Sequence, residues 1–558
     1  MTMWKGLNML RYKENLRIKW IALVLILMMI VPISFSDVTT YGDVSSKHWA
    51  YMMIHELNDA DVLKSSETFG LGSYITETDL IEWLGKIKLN SNYQLIYEPK
   101  HTLTRIESIE VFATYLRLNK GIALLGEVAS PYLDTEENSA LLAFASNVGW
   151  ISVNSTQTFR PNQLIKKEEA IAVLYKIYSQ FKNPLSILHT YYAISSYSQA
   201  ELTDDVNSLS YGWARLEFDK TKQSVILNMT SANSNEYRVP TGYAAALDAT
   251  SNNEATKQLM VFVKDETRLD PITGKSVSLA ETILTNDTLS ESVIEQLVGA
   301  VEANVYNIHF DGVVLDFENL KGEAVAKAYN EFVSKISEIL KEKNLSLYIA
   351  VHPERNESQS YFDGYDFRTL GEYADHIILM AHDYYAKKLS SVDMQLGYTV
   401  TPLSPIDEVF YALEAVTNPK DGVEDSTKVL LQVSFDTVQW QSKEGIILNS
   451  TPYHPSYQSV LDRAAKVGTE VNYSLNLESP YLTFSENQIR NIIWYEDERS
   501  IQAKIDLAKL FNTGGISVWR LGTIPNFNNA ESNSDNIDLL DDSIEIQLNI
   551  WQQILENF

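Results

Sequence analysis

Two carboxylates end one apolar segment of the chain, at residues 312–318. Val313, Val314 and Leu315 fit a buried strand, and Asp316 and Glu318 follow at alternate positions. Residues two apart in a strand share a face, so both carboxylates point the same way, with about 6.5 Å between their Cα atoms. Such a pair suits acid-catalysed bond cleavage, because one group can donate a proton while the other stabilises positive charge. The alternative is an ordinary strand end whose acids are solvated or cap the next helix.

The segment Asp311-Gly312-Val313-Val314-Leu315-Asp316-Phe317-Glu318 resembles the signature of the family 18 glycoside hydrolases, which include chitinases and N-acetylglucosaminidases. That signature reads Asp-Gly-x-Asp-x-Asp-x-Glu on the fourth strand of a (β/α)8 barrel. Val314 stands where the pattern has its middle Asp. The resemblance also assigns Asp311 to the substrate-binding residues.

Three further segments carry the same resemblance. Residues 380–383, Met-Ala-His-Asp, align with the family's Met-x-Tyr-Asp on strand six, and Tyr384 follows them. Trp519 comes after two glycines and aligns with the Trp on strand eight that floors the sugar pocket. Residues 494–504 resemble the lead into the last helix of spore-cortex and cell-wall members. The resemblance therefore implies that Met380, His382, Tyr384 and Trp519 bind substrate.

In that family the acetamido oxygen of the sugar attacks its own anomeric carbon, and configuration is retained without a protein nucleophile. Carried over by position, Glu318 is the general acid and base, and Asp316 orients and stabilises the acetamido group. Asp383 helps to polarise that group, and Trp519 stacks on the sugar. We expect burial and the neighbouring Asp316 to raise the pKa of Glu318. The resemblance implies no metal and no organic cofactor.

Two positions depart from the pattern. Val314 cannot exchange a proton with Asp316, so we expect Asp316 to point permanently toward Glu318 and the substrate. His382 replaces a Tyr whose hydroxyl donates to the acetamido carbonyl. Either a ring nitrogen of His382 takes over that hydrogen bond or the residue has a local packing role.

The alternation of strands and helices after residue 185 predicts an α/β barrel. We place the barrel at 185–540, with a small α+β insertion at about 440–495 and a C-terminal helix or tail at 541–558. The insertion contains a helix at 457–466 and a hairpin of 471–473 with 489–495. Predicted strands lie at 191–195, 208–218, 257–263, 309–318, 345–351, 376–381, 428–433 and 514–519, and predicted helices at 291–303, 323–341 and 500–511.

Residues 37–183 are predicted to form an all-α domain with a weak internal repeat. Segments 75–79, 103–107 and 165–169 each lead into an apolar helix, the first two with a capping Thr and an acid. With residues 43–50 and 159–161 they resemble surface-layer homology repeats, which bind anionic cell-wall polysaccharides. Only Arg105 keeps the Arg of that pattern, with Glu77 and Lys167 at the other two positions. The resemblance assigns Arg105 and Lys167 to wall binding, and a domain that only spaces the barrel from the wall is the alternative.

The formal net charge of −28 argues against nucleic acid as a partner, because binding it needs a basic face. The chain has no Cys, so it has neither disulfides nor thiolate metal sites. Residues 1–36 are predicted to be a secretory signal, with a basic start and an apolar run of about 14 residues, short of the roughly 20 that span a bilayer. An uncleaved anchor is the alternative. Either way we expect a protein of the bacterial cell surface.

Together these features predict a secreted glycosidase that cleaves β-1,4-linked N-acetylglucosamine polymers. The wall-type repeats and the resemblance to cortex-lytic members favour peptidoglycan over chitin. A catalytically weak or inactive glycan-binding protein on the same barrel is the alternative function. A wall-attached scaffold is the third.

Overall fold

The computed structural model describes residues 41–525 and 548–558, except 65, 136, 236–241, 243, 252, 270–273, 304–307 and 356–362. The predicted signal at 1–36 lies outside these residues. In the part of the chain that is described, no helix combines the length and the apolar character needed to cross a bilayer.

Six described helices lie before the barrel. Thr76 and Asp79 form a capping box at the start of the second helix, and Thr104 and Glu107 form one at the third. Both caps satisfy backbone N–H groups that a helix start leaves without partners. The helices are α1 Tyr51–Asp59, α2 Glu77–Ile87, α3 Arg105–Tyr115, α4 Asn119–Leu124, α5 Ser139–Asn147 and α6 Lys167–Lys182.

One local arrangement occurs twice in this region. The Asp43 carboxylate accepts the backbone N–H groups of Phe69 and Gly70, both at 2.7 Å. The Asp134 carboxylate accepts those of Phe159 and Arg160, both at 2.8 Å. In both places an Asp carboxylate accepts two successive backbone N–H groups further along the chain, and the two segments that these hydrogen bonds close are nearly equal in length. Asp134 was missed in the sequence because the residues that follow it differ from those after Asp43.

Eight parallel strands close into a barrel, which confirms the predicted fold. The order is β1-β2-β4-β7-β8-β9-β10-β16, and β1 pairs with both β2 and β16. The first strand starts and ends earlier than predicted, because a 3₁₀ segment begins at Ile194. The strands are β1 Ile187–Tyr192, β2 Ser208–Asp219, β3 Ser224–Asn228, β4 Thr256–Val263, β5 Thr267–Leu269, β6 Ser276–Ser278, β7 Gly312–Asp316, β8 Ser346–Val351, β9 His376–Leu379, β10 Val429–Ser434, β11 Val438–Lys443, β12 Ile446–Ile447, β13 Glu470–Ser474, β14 Ser479–Glu486, β15 Ile489–Trp494 and β16 Gly515–Trp519.

Helices alternate with these strands and cover the outside of the barrel. The longest, at Glu323–Glu342, buries one face that includes Tyr329, Phe332 and Ile336. The helices are α7 Ala244–Ser251, α8 Leu279–Leu284, α9 Asp287–Glu302, α10 Glu323–Glu342, α11 Phe367–Tyr373, α12 Ser391–Leu396, α13 Ile406–Thr417, α14 Tyr457–Ala464, α15 Glu498–Leu510 and α16 Ile550–Leu555.

The barrel interior beneath the carboxyl end of β7 is apolar. Val314 is fully buried there and belongs to one cluster with Met260, Tyr348, Ile378 and Leu430. The Val that replaces an Asp of the family pattern is therefore a core residue.

The insertion is a five-stranded antiparallel sheet in the order β12-β11-β15-β14-β13, with α14 between β12 and β13. The predicted hairpin is wrong in its pairing, since β14 lies between β13 and β15 and pairs with both. Asn487 and Gln488 have φ of 50° and 65°, which suits a tight two-residue turn between β14 and β15. The prediction missed that turn because neither residue is Gly.

The described residues form two compact units that do not follow the predicted boundary near 184. One contains the residues up to Ser73 with Lys166–Ile171, and the other contains Tyr74–Ile165 and Ala172–Phe558. Within the second unit α4 packs on α13, where a Cβ on Gly121 would lie 2.4 Å from Cγ of Phe410. Most of the predicted helical domain is therefore part of the same unit as the barrel, because its helices bury apolar surface against barrel helices.

Candidate active site

Asp316 and Glu318 lie at the carboxyl end of β7. Asp316 is the last residue of the strand, in register with Phe262 of β4 and Ala350 of β8. Its side chain is buried, whereas about a third of the Glu318 side chain is exposed. The paired acids predicted from residue spacing thus occupy the end of a (β/α)8 barrel at which loops build a site.

Burial raises the pKa of both carboxyls. The charge of Glu318 raises the pKa of Asp316 further. Burial is also the largest cause for Glu318. The charge of His382 comes next and lowers its pKa, the charges of Asp265 and Asp383 raise it, and that of Lys387 lowers it. The pair therefore keeps a proton more readily than two exposed acids would, as a general acid requires. Asp265 was not predicted as a site residue, because nothing in the sequence distinguishes it from other acids in loops.

One oxygen of Asp316 has no hydrogen-bond partner among the described residues. Its Oδ1 is buried, and the residue beneath it in the barrel is Val314 rather than an acid. A buried carboxylate oxygen without a partner costs free energy, so the site favours a ligand that brings an N–H group.

His352 follows β8 directly and faces Glu318. Its Nε2 lies 4.0 Å from Oε2 of Glu318. Burial lowers the pKa of His352 to about 4, and the charge of His382 lowers it too, so the ring is neutral at neutral pH. A neutral imidazole beside Glu318 adds a polar wall without a charge. His352 lies outside the segments that match the family pattern, although a His directly after a buried strand is a signal of a site residue.

Asp383 is held by side chains from three positions. Its Oδ1 accepts from Ser434 Oγ at 3.3 Å and faces His382 Nδ1 at 3.4 Å, while its Oδ2 lies 3.5 Å from Lys387 Nζ. Burial raises the pKa of Asp383, but His382, Lys387 and Ser434 together bring it well below its usual range. Its φ of 60° is uncommon for a residue with a Cβ, so the surrounding contacts maintain a strained backbone there. Asp383 is thus a fixed negative charge.

His382 has both ring nitrogens directed at protein atoms. Nε2 lies 2.6 Å from Oε1 of Gln432, and Nδ1 faces Asp383. Burial lowers the pKa of His382, but the charge of Asp383 and the bonds to Asp383 and Gln432 raise it overall. Gln432 in turn donates to Ser517, which bonds to His189. Both ring nitrogens of His382 thus face protein side chains, which favours the packing role over a hydrogen bond to substrate.

Trp519 ends β16, in register with Ser434 of β10. Its ring is partly exposed and meets Tyr191 edge-on, with 4.9 Å between ring centroids. The peptide bond from Trp519 to Arg520 is cis. A partly exposed indole at this end of the barrel is accessible to a ligand, and the stacking of Trp519 on a sugar stays a prediction.

Two other predicted substrate residues lie beside or behind the site. Met380 packs on the barrel core. Tyr384 lies against the Arg355 guanidinium at 5.0 Å, and its charged neighbours are Glu408, Arg355 and Asp407. Tyr384 thus faces α13, so its predicted contact with substrate is corrected. The next residue, Tyr385, is the one near Asp383.

Asp311 lies at the opposite end of β7 from Asp316. Its carboxylate accepts the backbone N–H of Lys257 at 2.8 Å, and its carbonyl accepts that of Ser346 at 2.7 Å. Five residues of strand separate it from Asp316 by roughly 16 Å. The prediction that Asp311 binds substrate is therefore wrong, because it holds neighbouring strands at the amino end of the barrel.

The two residues assigned to wall binding lie in the helical region. Nε of Arg105 donates to the carbonyl of Phe159 at 2.8 Å, and its guanidinium covers the Phe159 ring at 5.1 Å. Lys167 is the first residue of α6. Glu77, at the equivalent position of α2, is fully buried and accepts the N–H groups of Ile96 and Tyr97. This acid holds a loop of its own unit.

Comparison with known proteins agrees with this site. Residues 274–523 match the model of the glycosyl hydrolases family 18. The cortical fragment-lytic enzyme of Bacillus subtilis (strain 168) is 26% identical over 251 residues, covering 43% of this chain and 52% of the relative. That of Bacillus anthracis is 25% identical over 254 residues, covering 44% and 54%. The chain thus spans about half the length of these relatives.

A solved structure shows the same fold. The spore cortex-lytic enzyme SleL of Bacillus cereus superposes with a TM-score of 0.50 at 18% identity, covering 74% of this chain and 83% of that one. The family match includes β7, β9 and β16, the strands that carry the acids and Trp519. Residues 274–523 therefore match the glycosyl hydrolases family 18, over the part of the barrel that contains the acid pair.

Proposed function

We propose that this protein hydrolyses the β-1,4 bond after an N-acetylglucosamine unit of peptidoglycan, with retention of anomeric configuration. The observation that carries the proposal is the pair Asp316 and Glu318 at the carboxyl end of β7, with raised pKa values, in a family 18 domain.

Glu318 acts first as the acid. Its carboxyl proton passes to the glycosidic oxygen as the bond from that oxygen to the anomeric carbon breaks. The acetamido oxygen of the same sugar bonds to the anomeric carbon from the other face, giving an oxazolinium ion. The Glu318 carboxylate then takes a proton from water, whose oxygen attacks that carbon and restores the acetamido group. Two inversions give net retention.

Asp316 and Asp383 stabilise the ion. The unsatisfied Oδ1 of Asp316 accepts the acetamido N–H, and the negative charge left on the carboxyl pair when Glu318 gives up its proton balances the charge on the ring. Asp383 stays ionised because His382 and Lys387 hold its pKa low. Trp519 stacks on the apolar face of the sugar and keeps the anomeric carbon beside Glu318.

Peptidoglycan is favoured over chitin as the polymer. Two relatives are named for lysis of cortical fragments, and a structural neighbour for lysis of spore cortex. The predicted signal and the wall-type helical repeats support an extracellular, wall-associated site of action.

The test is release of reducing ends from purified peptidoglycan by the wild-type chain and by Glu318→Gln. We expect a loss of at least about 100-fold in the variant. Glu323→Gln is the matched control, because Glu323 is exposed at the start of α10 and this substitution also replaces a carboxylate oxygen by an amide nitrogen. NMR of the first product reports its anomeric configuration. Release that persists in Glu318→Gln contradicts the assignment, and binding without release from any polymer means a glycan-binding protein.

We propose further that the chain is exported and retained at the wall through its helical region. Support comes from the basic and apolar start of the sequence and from the repeat-like segments. Co-sedimentation of the full chain with purified walls tests retention, comparing Lys167→Ala with Lys166→Ala, its exposed neighbour. Selective loss in Lys167→Ala is expected. Equal retention of both variants contradicts a role for Lys167.

A further inference from the structure

Lys387 lies beside Asp383 in the loop after β9. It comes four residues after Asp383, with Nζ 3.5 Å from Asp383 Oδ2 and 3.7 Å from the centroid of the Tyr385 ring. Its side chain is nevertheless 61% exposed. An ammonium group has three N–H donors. The contact with Asp383 therefore leaves Lys387 able to bind a ligand from the solvent side.

The surroundings of Lys387 are acidic. Asp265, Asp316, Glu318 and Asp383 all act on the same site. The whole chain carries a formal charge of −28. Such a cleft repels an anionic glycan unless a cation is placed at the point where the anion arrives.

Other cations near Asp383 in the described part of the chain contact protein side chains. The side chain of His382 is 9% exposed and lies between Asp383 and Gln432. Arg355 covers the Tyr384 ring and lies 3.7 Å from Glu408. Lys387 is thus the exposed cation in contact with a catalytic carboxylate in the described part of the chain.

The two candidate polymers differ at this point in their chemistry. Chitin is a neutral chain of N-acetylglucosamine, whereas every second sugar of a peptidoglycan strand bears a lactyl ether that ends in a carboxylate or an amide bond. We propose that Lys387 is a specificity-determining residue that binds the carboxylate of a lactyl-bearing sugar next to the cleaved bond. This inference rests on the proposed glycosidase function and names the substrate feature that its cleft selects.

The geometry explains why a lysine suits this role. Its ammonium group lies over the Tyr385 ring, and its point charge does not require one fixed orientation of the carboxylate. The carboxylate would share the ammonium with Asp383. Binding of an anion there also leaves Asp383 ionised, because His382 and Ser434 still contact it.

The experiment compares two forms of one peptidoglycan disaccharide-repeat fragment, with the lactyl carboxylate free or converted to its amide. Lys387→Met removes the charge and keeps the stem, and Lys387→Arg restores a cation. Lys388→Met is the matched control, because Lys388 is the next residue, is exposed and gives the same change in net charge. The readout is the ratio of kcat/KM for the free over the amidated fragment.

We expect the ratio to fall about tenfold in Lys387→Met, mostly through KM, and to be largely restored in Lys387→Arg. Lys388→Met should keep the wild-type ratio, and added salt should lower the ratio of the wild-type chain. An unchanged ratio in Lys387→Met overturns the proposal, whatever the absolute loss of rate. Equal loss on both fragments with a shifted pH profile would mean that Lys387 acts only on Asp383 and Glu318.

Binding separates this inference from the proposed function. Calorimetry with Glu318→Gln measures affinity for both fragments without turnover. A preference for the free carboxylate that disappears in Glu318→Gln/Lys387→Met supports recognition even if the wild-type chain hydrolyses neither fragment. Equal affinity of Glu318→Gln for both fragments overturns recognition even if the wild-type chain is a glycosidase.

Discussion

Val314→Asp restores the acid of the family pattern, and we expect it to destabilise this protein. Val314 is fully buried among Met260, Tyr348, Ile378 and Leu430. Loss of its apolar burial costs about 2 kcal/mol. A protonated carboxyl without a full set of partners costs about 1–3 kcal/mol more. The free energy of unfolding should therefore fall by about 3–5 kcal/mol even where the new acid is neutral.

The loss should grow as pH rises. An unfolded Asp has a pKa of about 3.9, and burial beside Asp316 raises the folded value. Between those two values the folded state binds more protons, so its stability falls by about 1.4 kcal/mol per pH unit. From pH 5 to pH 8 the additional loss reaches about 4 kcal/mol if the folded pKa exceeds 8.

Urea unfolding of Val314→Asp, Val314→Asn and wild type at pH 5 and pH 8 measures these terms. The Asn variant has the same shape and no titrating group, so it should lose stability without the pH dependence. We also expect no gain in kcat for Val314→Asp. The reasoning is refuted if this variant stays within about 1 kcal/mol of wild type at both pH values, or if it gains activity.

The remaining predictions concern titration and packing elsewhere. Burial lowers the pKa of His352 to about 4, so the unfolded state binds more protons than the folded state between pH 4 and 6.5. The free energy of unfolding should therefore fall by about 3 kcal/mol as pH drops through that range. Urea unfolding of His352→Phe should lack this pH dependence, and an unchanged dependence would contradict the assignment. Burial raises the pKa of Glu414 to about 7, so the folded state binds more protons than the unfolded state between pH 4.5 and 7. The free energy of unfolding should therefore fall as pH rises through that range. Urea unfolding of Glu414→Gln should lack this fall, and a fall that remains in the variant would mean that another group causes it. Gly121→Ala should lower the melting temperature, because the new Cβ would lie 2.4 Å from the Phe410 ring. Gly299→Ala should raise the melting temperature slightly, because Gly299 is a helical position with open space around it. Equal shifts in the two variants would mean that the Phe410 ring moves aside.

The departures at Val314 and His382 are compatible with one another in the structure. The residue beneath Asp316 is apolar, and Oδ1 of Asp316 has no hydrogen-bond partner in the described part of the chain. The buried polar side chains lie instead behind Asp383, where His382, Gln432, Ser517 and His189 form a connected series. The buried polar support of the site thus lies in the loop after β9 and on neighbouring strands rather than beneath Asp316.

The sequence by itself determined the barrel and its acid pair. Strand alternation is a local property, so residues two apart share a face whatever surrounds them, and Asp316 and Glu318 could be paired before any fold was known. Helix caps at Thr76 and Thr104 are equally local, and both were predicted from three-residue spacings. Pattern matching failed where a motif runs the length of a strand, since Asp311 keeps the family position but lies at the other end of β7.

Only the tertiary structure decided which distant residues join the acids. Asp265, His352 and Lys387 come from three separate loops, and parallel strands bring their carboxyl ends together only when the barrel closes. The pairing of β13 with β14 and the packing of Gly121 on Phe410 likewise depend on contacts between segments far apart in the chain. Such contacts have no fixed spacing in the sequence, because burial and shape rather than local periodicity determine them.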